Sequence, residues 1–145
     1  MLFRSLGVAE RIHFLGHLPR EEVLRLLAQA HALVHPSLHD SGGWVCLEAM
    51  AAGRPVICLD LGGPAMQVTE KTGFKIPART PAQAVHDLAK AMRRLASDPD
   101  AVRSLGERGK ERVREAFLWE ARAQEISHVY ALLRDRGSDA PQATR

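Results

Sequence analysis

"HPSLHDSGGWVCLEAMAAGRPVICLDLGG", residues 35–63, is the stretch that decides the fold. It opens at the end of an apolar run, Ala32 to His35, closed by Pro36. Trp44 to Ala52 is apolar on nearly every side and is stopped by Gly53, the pattern of a helix buried all round. Pro55 to Leu59 is a continuous apolar run of strand length, followed by the Gly62-Gly63-Pro64 loop. A strand, a buried helix and a second buried strand in that order predict a parallel sheet covered on both faces. One carboxylate, Glu48, interrupts the apolar helix.

Working outward, Arg11 to Leu15 reads as a short strand ended by Gly16, and Leu18 to Ala30 as a helical segment with Pro19 where a helix tolerates it and Val23, Leu24 and Leu27 on one face. Downstream, Ala65 to Thr69 predicts a helical turn and Phe74 to Ile76 a small strand. Thr80 and Pro81 then cap and begin a helix to about Leu95, followed by helices from Asp100 to about Phe117 and from Trp119 to about Arg134. The expected architecture is an α/β fold: an open, parallel, Rossmann-like sheet of about four strands with C-terminal helices. Residues 1–135 form its single domain and residues 136–145 a disordered tail.

The 145 residues carry a formal charge of only +3, with Lys and Arg interspersed with Asp and Glu, and 5% aromatics leave little for base stacking, so nucleic acid is not an expected partner. Interspersed acids also make a solvated helix face a better reading of Arg93 to Arg114 than an anionic membrane surface, which stays a minor alternative. Cys46 and Cys58 lie in apolar runs without a CxxC or a ligand histidine, which predicts free buried thiols in a reducing compartment. No apolar run reaches the roughly 20 residues of a membrane span, and the start lacks a signal-peptide pattern; the cytoplasm is the expected location. His31, His35 and His39 recur every four residues, but on an extended chain that spacing puts them about 13 Å apart, too far to share a metal ion. Cys46 falls inside a buried helix rather than on an exposed elbow, and no GxxxxGK[ST] loop exists, which excludes a cysteine hydrolase and a P-loop ATPase.

In open α/β sheets ligands sit beyond the carboxyl ends of the strands, which points to the loops Gly16 to Leu18, Pro36 to Gly43 and Asp60 to Pro64. Gly42 and Gly43 precede the helix at Trp44, so backbone N–H groups and the positive helix end face that space, fit for a phosphate or simply a turn capped by Ser41. Glu48 lies five residues past Gly43, about 7.5 Å along the axis, with no basic residue three or four positions away. An ionised carboxylate near a core is costly unless its lone pairs are filled, and a ribose diol would fill them. The alternative is a Glu reaching solvent or paired with Arg54.

With Asp40 eight residues before Glu48, "HPSLHDSGGWVCLEAMAAGRPVI" resembles the acidic-x7-acidic motif of retaining nucleotide-sugar glycosyltransferases of GT-B family four. "RIHFLGHLPREEV", "AHALVHPS", "GRPVICLDLGGPA" and "TGFKIP" follow the order of the C-terminal, donor-binding domain of that family, a resemblance running from about Gly7 to Leu133. It implies that Glu48 binds the ribose hydroxyls, that Ser41, Gly42, Gly43 and Trp44 approach the diphosphate or sugar, and that Asp40 is the catalytic acid beside the transferred sugar. It also implies base contacts from Gly16, His17 and Leu18, and donor contacts from Gly62 and Gly63. The family's usual Glu-Gly-Phe-Gly is replaced here by Asp40-Ser41-Gly42-Gly43-Trp44.

The resemblance further implies an acceptor-binding N-terminal domain, and a strand and loop bearing an Arg and a Lys for the leaving diphosphate. The sequence contains neither, so the expectation is an incomplete donor-binding domain with little or no turnover by itself, its open sheet edge covered by such a domain or by a second copy. A nucleotide-sugar is the expected ligand, with no metal or other cofactor. The rival reading is a non-catalytic nucleotide-binding or protein-interaction module.

Overall fold

A computed structural model describes residues 6–137. Its centre is a parallel sheet of three strands, β1 (Leu33–His35), β2 (Val56–Leu59) and β3 (Gly73–Ile76), in the order β1-β2-β3. The register pairs Leu33 with Val56 and His35 with Cys58, then Val56 with Gly73 and Leu59 with Ile76. Six α-helices surround it: α1 (Arg20–Gln29), α2 (Trp44–Ala51), α3 (Gly62–Gln67), α4 (Pro81–Ser97), α5 (Pro99–Ala116) and α6 (Trp119–Gly137).

Every residue of the central strand β2 is buried, which explains its uninterrupted apolar sequence. Successive side chains alternate between the faces. Val56 and Cys58 join Leu27 of α1, Cys46, Ala49 and Met50 of α2 and Val113 of α5 on one side. Ile57 and Leu59 join Ile76 of β3 and Ala91 and Leu95 of α4 on the other, where Val102 and Leu105 of α5 complete the cluster. Helix α5 thus feeds both halves of the core. It crosses α2 on glycines: a Cβ at Gly106 would lie 2.8 Å from the carbonyl carbon of Gly53, so the backbones meet with no room for a side chain.

The helix boundaries follow local chemistry. Thr80 caps α4 by accepting the N–H of Gln83 at 3.2 Å, and Asp98 caps α5 by accepting that of Ala101 at 2.8 Å, each with proline in the first turn. Gly53, at φ 72°, ends α2 in the left-handed conformation that the stop signal required, and the Arg54 N–H returns to the Ala49 carbonyl.

Two expectations are corrected. Arg11 to Leu15 is not a strand: Ala9–Arg11 form a 3-10 turn, residues 12–16 join no sheet, and Phe14 and Leu15 are exposed. The physical reason lies in strand order. In the usual doubly wound order 3-2-1-4-5-6, a sheet β1-β2-β3 corresponds to positions 4, 5 and 6, and the strand before it belongs at position 3, three places beyond β1 with positions 1 and 2 between. No described residue fills those two places, so the segment has no strand beside it. The sheet therefore has three strands, not four. The second correction concerns Gly62-Gly63-Pro64, which is not a loop ahead of a helix but the first turn of α3; Thr69 lies beyond its end. Helix α6 runs to Gly137, so residues 136 and 137 of the expected tail are helical, and the rest of it lies outside the described residues.

Candidate functional site

The carboxyl ends of β1 and β2 open onto the segments 36–43 and 60–64, and the structure joins them. The Gly63 N–H donates to the Asp40 carbonyl at 2.9 Å. A Cβ on Gly62 would come within 3.3 Å of the carbonyl carbon of Asp40, and one on Gly63 within 2.9 Å of that of Ser41. Only glycine permits this packing of backbone on backbone. Gln67, buried at the end of α3, adds a tie through its Nε2, which donates to the Gly42 carbonyl at 2.5 Å. Arg112 of α5 in turn donates from Nε to the Gln67 carbonyl at 2.6 Å and from Nη2 to that of Met66 at 3.0 Å.

Asp40 sits at the centre of this unit, turned back onto its own loop. Its Oδ1 accepts the N–H of Gly42 at 3.0 Å and of Gly43 at 2.7 Å, and its Oδ2 meets Nε2 of His35 at 2.9 Å. The Gly43 N–H, with His35 and the Gly42 N–H adding to it, holds the Asp40 carboxyl below its ordinary value. The expectation that the Gly42 and Gly43 N–H groups face a ligand is thereby corrected, because a short acid at position 40 reaches both. Gly43, at φ 59°, is the N-cap of α2, and the first N–H bonded inside the helix is that of Cys46, to the Gly43 carbonyl at 2.9 Å. Helix geometry leaves the N–H groups of Trp44 and Val45 without an intrahelical acceptor, so the positive end of α2 is presented there.

Glu48 stands one turn further along α2. It is mostly covered, and its Oε1 meets Nη1 of Arg20 at 2.5 Å. The alternative partner Arg54 is elsewhere, donating from Nη2 to the Ala28 carbonyl at 2.5 Å. Arg20 begins α1, directly after the loop Gly16 to Leu18, so this ion pair brings that loop to the flank of Glu48. Open α/β sheets leave a crevice beyond the carboxyl ends of their strands; here segments 40–45 and 61–63 stand at that end, with Glu48 and its partner Arg20 about one turn along α2 from the helix N-terminus.

Three members of the site were not visible in the sequence: Arg20, His35 as the partner of Asp40, and Gln67. Each acts through a contact between residues of different elements, and only His35, five positions from Asp40, lay close enough to be weighed. Of the three histidines, His31 and His39 are exposed, and no group of three His, Cys, Asp or Glu among the described residues is arranged to hold a metal ion. Cys46 and Cys58 are free and buried, and burial pushes their thiols up to about 12 and about 11. No described helix is long and apolar enough to cross a membrane. A cleft of about 1290 Å³ lies away from the strand ends that carry the site, beside Ala32 and Arg54 and under the bare edge of β1.

Comparison with known proteins places the family and the fold. The family model described as glycosyl transferases group 1 matches residues 2–112. Glycogen synthase of Mycobacterium tuberculosis is 35% identical over 96% of this chain and 33% of its own length. D-inositol 3-phosphate glycosyltransferase of Streptomyces bingchenggensis is 35% identical over 90% of this chain and 28% of its own. The solved structure of sucrose-phosphate synthase from Thermosynechococcus elongatus superposes with a TM-score of 0.75 at 34% identity, over 93% of this chain and 33% of that one. The chain thus spans about a third of the length of these relatives, and its α/β layers are those of GT-B glycosyltransferases.

Proposed function

The chain belongs to the glycosyl transferases group 1 family, and from that membership and the crevice we propose that it is the donor-binding part of an enzyme that transfers a sugar from a nucleotide-sugar with retention. The observation that carries the proposal is Glu48. A carboxylate on an otherwise apolar helix, about 4.5–6 Å along the axis from the N–H groups of Val45 and Trp44, suits a ribose diol whose diphosphate rests on the helix end. In this reading Trp44 and Val45 offer N–H groups to the diphosphate, Glu48 accepts the ribose hydroxyls, and residues 16–18 meet the base. Gly62 and Gly63 support the loop behind the sugar.

Asp40 takes a different part from the one its position in the motif implies. With Oδ1 engaged by Gly42 and Gly43 and Oδ2 by His35, it shapes the glycine loop, and Oδ2 keeps acceptor capacity for a sugar hydroxyl. Leaving-group stabilisation needs positive charge at the diphosphate, and a helix end of about half a charge supplies only part of it. We propose that the chain alone binds donor with little turnover. Full transfer then needs an acceptor-binding domain facing the strand ends that carry the site, which agrees with the chain's one-third share of its relatives' length.

Calorimetric titration with UDP, GDP and ADP and their sugar conjugates tests the reading. Glu48→Ala is expected to weaken binding by about 1–3 kcal/mol, the range for hydrogen bonds to a charged group, and chelator is expected to leave the affinity unchanged. A folded chain that binds none of these nucleotides, or a Glu48→Ala variant that binds as well as the parent, refutes the proposal.

A further inference from the structure

Building on the donor-site reading, we propose that Arg20 is a specificity-determining residue that masks Glu48, its guanidinium standing where the ribose hydroxyls of a ribonucleotide would bind. Two observations carry this. The first is how the pair is layered: the Arg20 side chain is 73% exposed while that of Glu48 is 20% exposed, so the arginine reaches in from solvent and covers the acid rather than supporting it from beneath. A guanidinium presents N–H donors to a carboxylate much as a vicinal diol presents O–H donors, and both seek the same oxygen lone pairs.

The second is that helix α1 gives Arg20 no reason to be there. It is the first residue of α1, at the positive end of the helix dipole, where a cation is disfavoured. The neighbouring first-turn residues, Glu21 and Glu22, are the acids that position favours, and Glu22 is engaged with Arg25. The contact that accounts for the arginine is Glu48.

The consequence is competition at Glu48. The hydroxyls of a ribonucleoside diphosphate must displace the arginine to reach the carboxylate, whereas a nucleotide without them binds with the ion pair still closed, so the mask weakens ribonucleotide binding alone and narrows the site's preference for it. An exposed pair of this kind is weak, so the mask shifts affinity by a small factor and adds no lasting barrier.

The test is titration of the parent chain, Arg20→Ala, Arg20→Lys, Glu48→Ala and the double variant Arg20→Ala/Glu48→Ala with UDP, GDP and ADP and their 2′,3′-dideoxy forms. Arg20→Ala is expected to bind the ribonucleotide about two- to fivefold more tightly, with dideoxynucleotide affinity unchanged. The gain should vanish when Glu48 is also alanine and be largely reversed by lysine at position 20. Unaltered or weaker ribonucleotide binding by Arg20→Ala, with Glu48→Ala still impaired, overturns the mask and leaves the donor site standing. If neither the parent nor Arg20→Ala binds any of the three diphosphates, both readings fall. Since Arg20 lies on the surface, thermal melting of the variant should match the parent, and Arg20→Gln serves as a second variant if it does not.

Discussion

Helix α2 carries Glu48 and the helix end of the crevice, and it is held by its crossing with α5, so this contact is where stability and site geometry meet. Gly106→Ala and Gly109→Ala, three residues apart on α5, test it as a matched pair. Both replace a helical glycine and so gain about 1 kcal/mol of helix propensity. They differ in what the new methyl meets. At Gly106 it would lie 2.8 Å from the carbonyl carbon of Gly53 and closer still to the oxygen, where such contacts normally settle at about 3.3–3.6 Å. Both partners are backbone, so neither can rotate aside, and the helices must separate. Overpacking of this kind costs about 1–3 kcal/mol, and separation also loosens the seat of Met50 and Val113, both buried in the same cluster. The net expectation is a loss of about 1–2 kcal/mol. At Gly109 the methyl would meet Cβ of Met50 at 3.4 Å, an ordinary contact, and the expectation is a gain of up to about 1 kcal/mol. Urea unfolding followed by circular dichroism at 222 nm measures both, and at roughly 3–5 °C per kcal/mol the melting temperatures should stand about 3–15 °C apart. Shifts of the same sign, or within about 0.5 kcal/mol of each other, would refute the claim that α5 crosses α2 on bare backbone at Gly106.

Two further outcomes are expected. Because burial raises both thiols far above neutrality, Cys46 and Cys58 should resist iodoacetamide at pH 8 in the native chain and react readily in denaturant, as mass spectrometry would register; rapid native labelling would contradict the packing around β2 and α2. Asp40, held below the usual carboxylate range, contributes stability that is present above the unfolded value of about 4 and is lost as pH falls through its folded value. The difference in unfolding midpoint between the parent chain and Asp40→Asn should therefore be steady at neutral pH and close below about pH 4; a difference that persists into stronger acid would show that the carboxylate is not what holds the loop.

Much of this architecture is readable wherever the controlling interaction is local. Gly53, Thr80 and Asp98 each punctuate the chain through bonds to residues within a few positions, Pro36 does so by lacking an N–H, and the elements they bound begin or end within a residue or two of expectation. The apolar run of β2 is legible for a related reason, since burial on both faces leaves no polar position. Arg11 to Leu15 misleads because alternation states a preference, while a strand exists only where another strand lies beside it. The site divides in the same way. Glu48 stands out against its apolar neighbours, but its partner Arg20 lies on another helix, and the tie from Gln67 to Gly42 spans 25 positions. The fold-back of Asp40 was hidden by a difference of one methylene, since the family resemblance speaks for a glutamate at that place.

The joined glycine segments have a consequence for how a ligand would be received. Residues 40–43 and 61–63 are locked together by main chain alone, one carbonyl against one N–H and two glycines against two carbonyl carbons. Their conformational freedom is removed during folding, and a molecule arriving later has no loop to order. A rim of this kind works as a rigid gauge. It tells ligands apart by whether they fit, and whatever closing movement accompanies binding must come from outside it, from the side chains along its edge or from a body that docks against it.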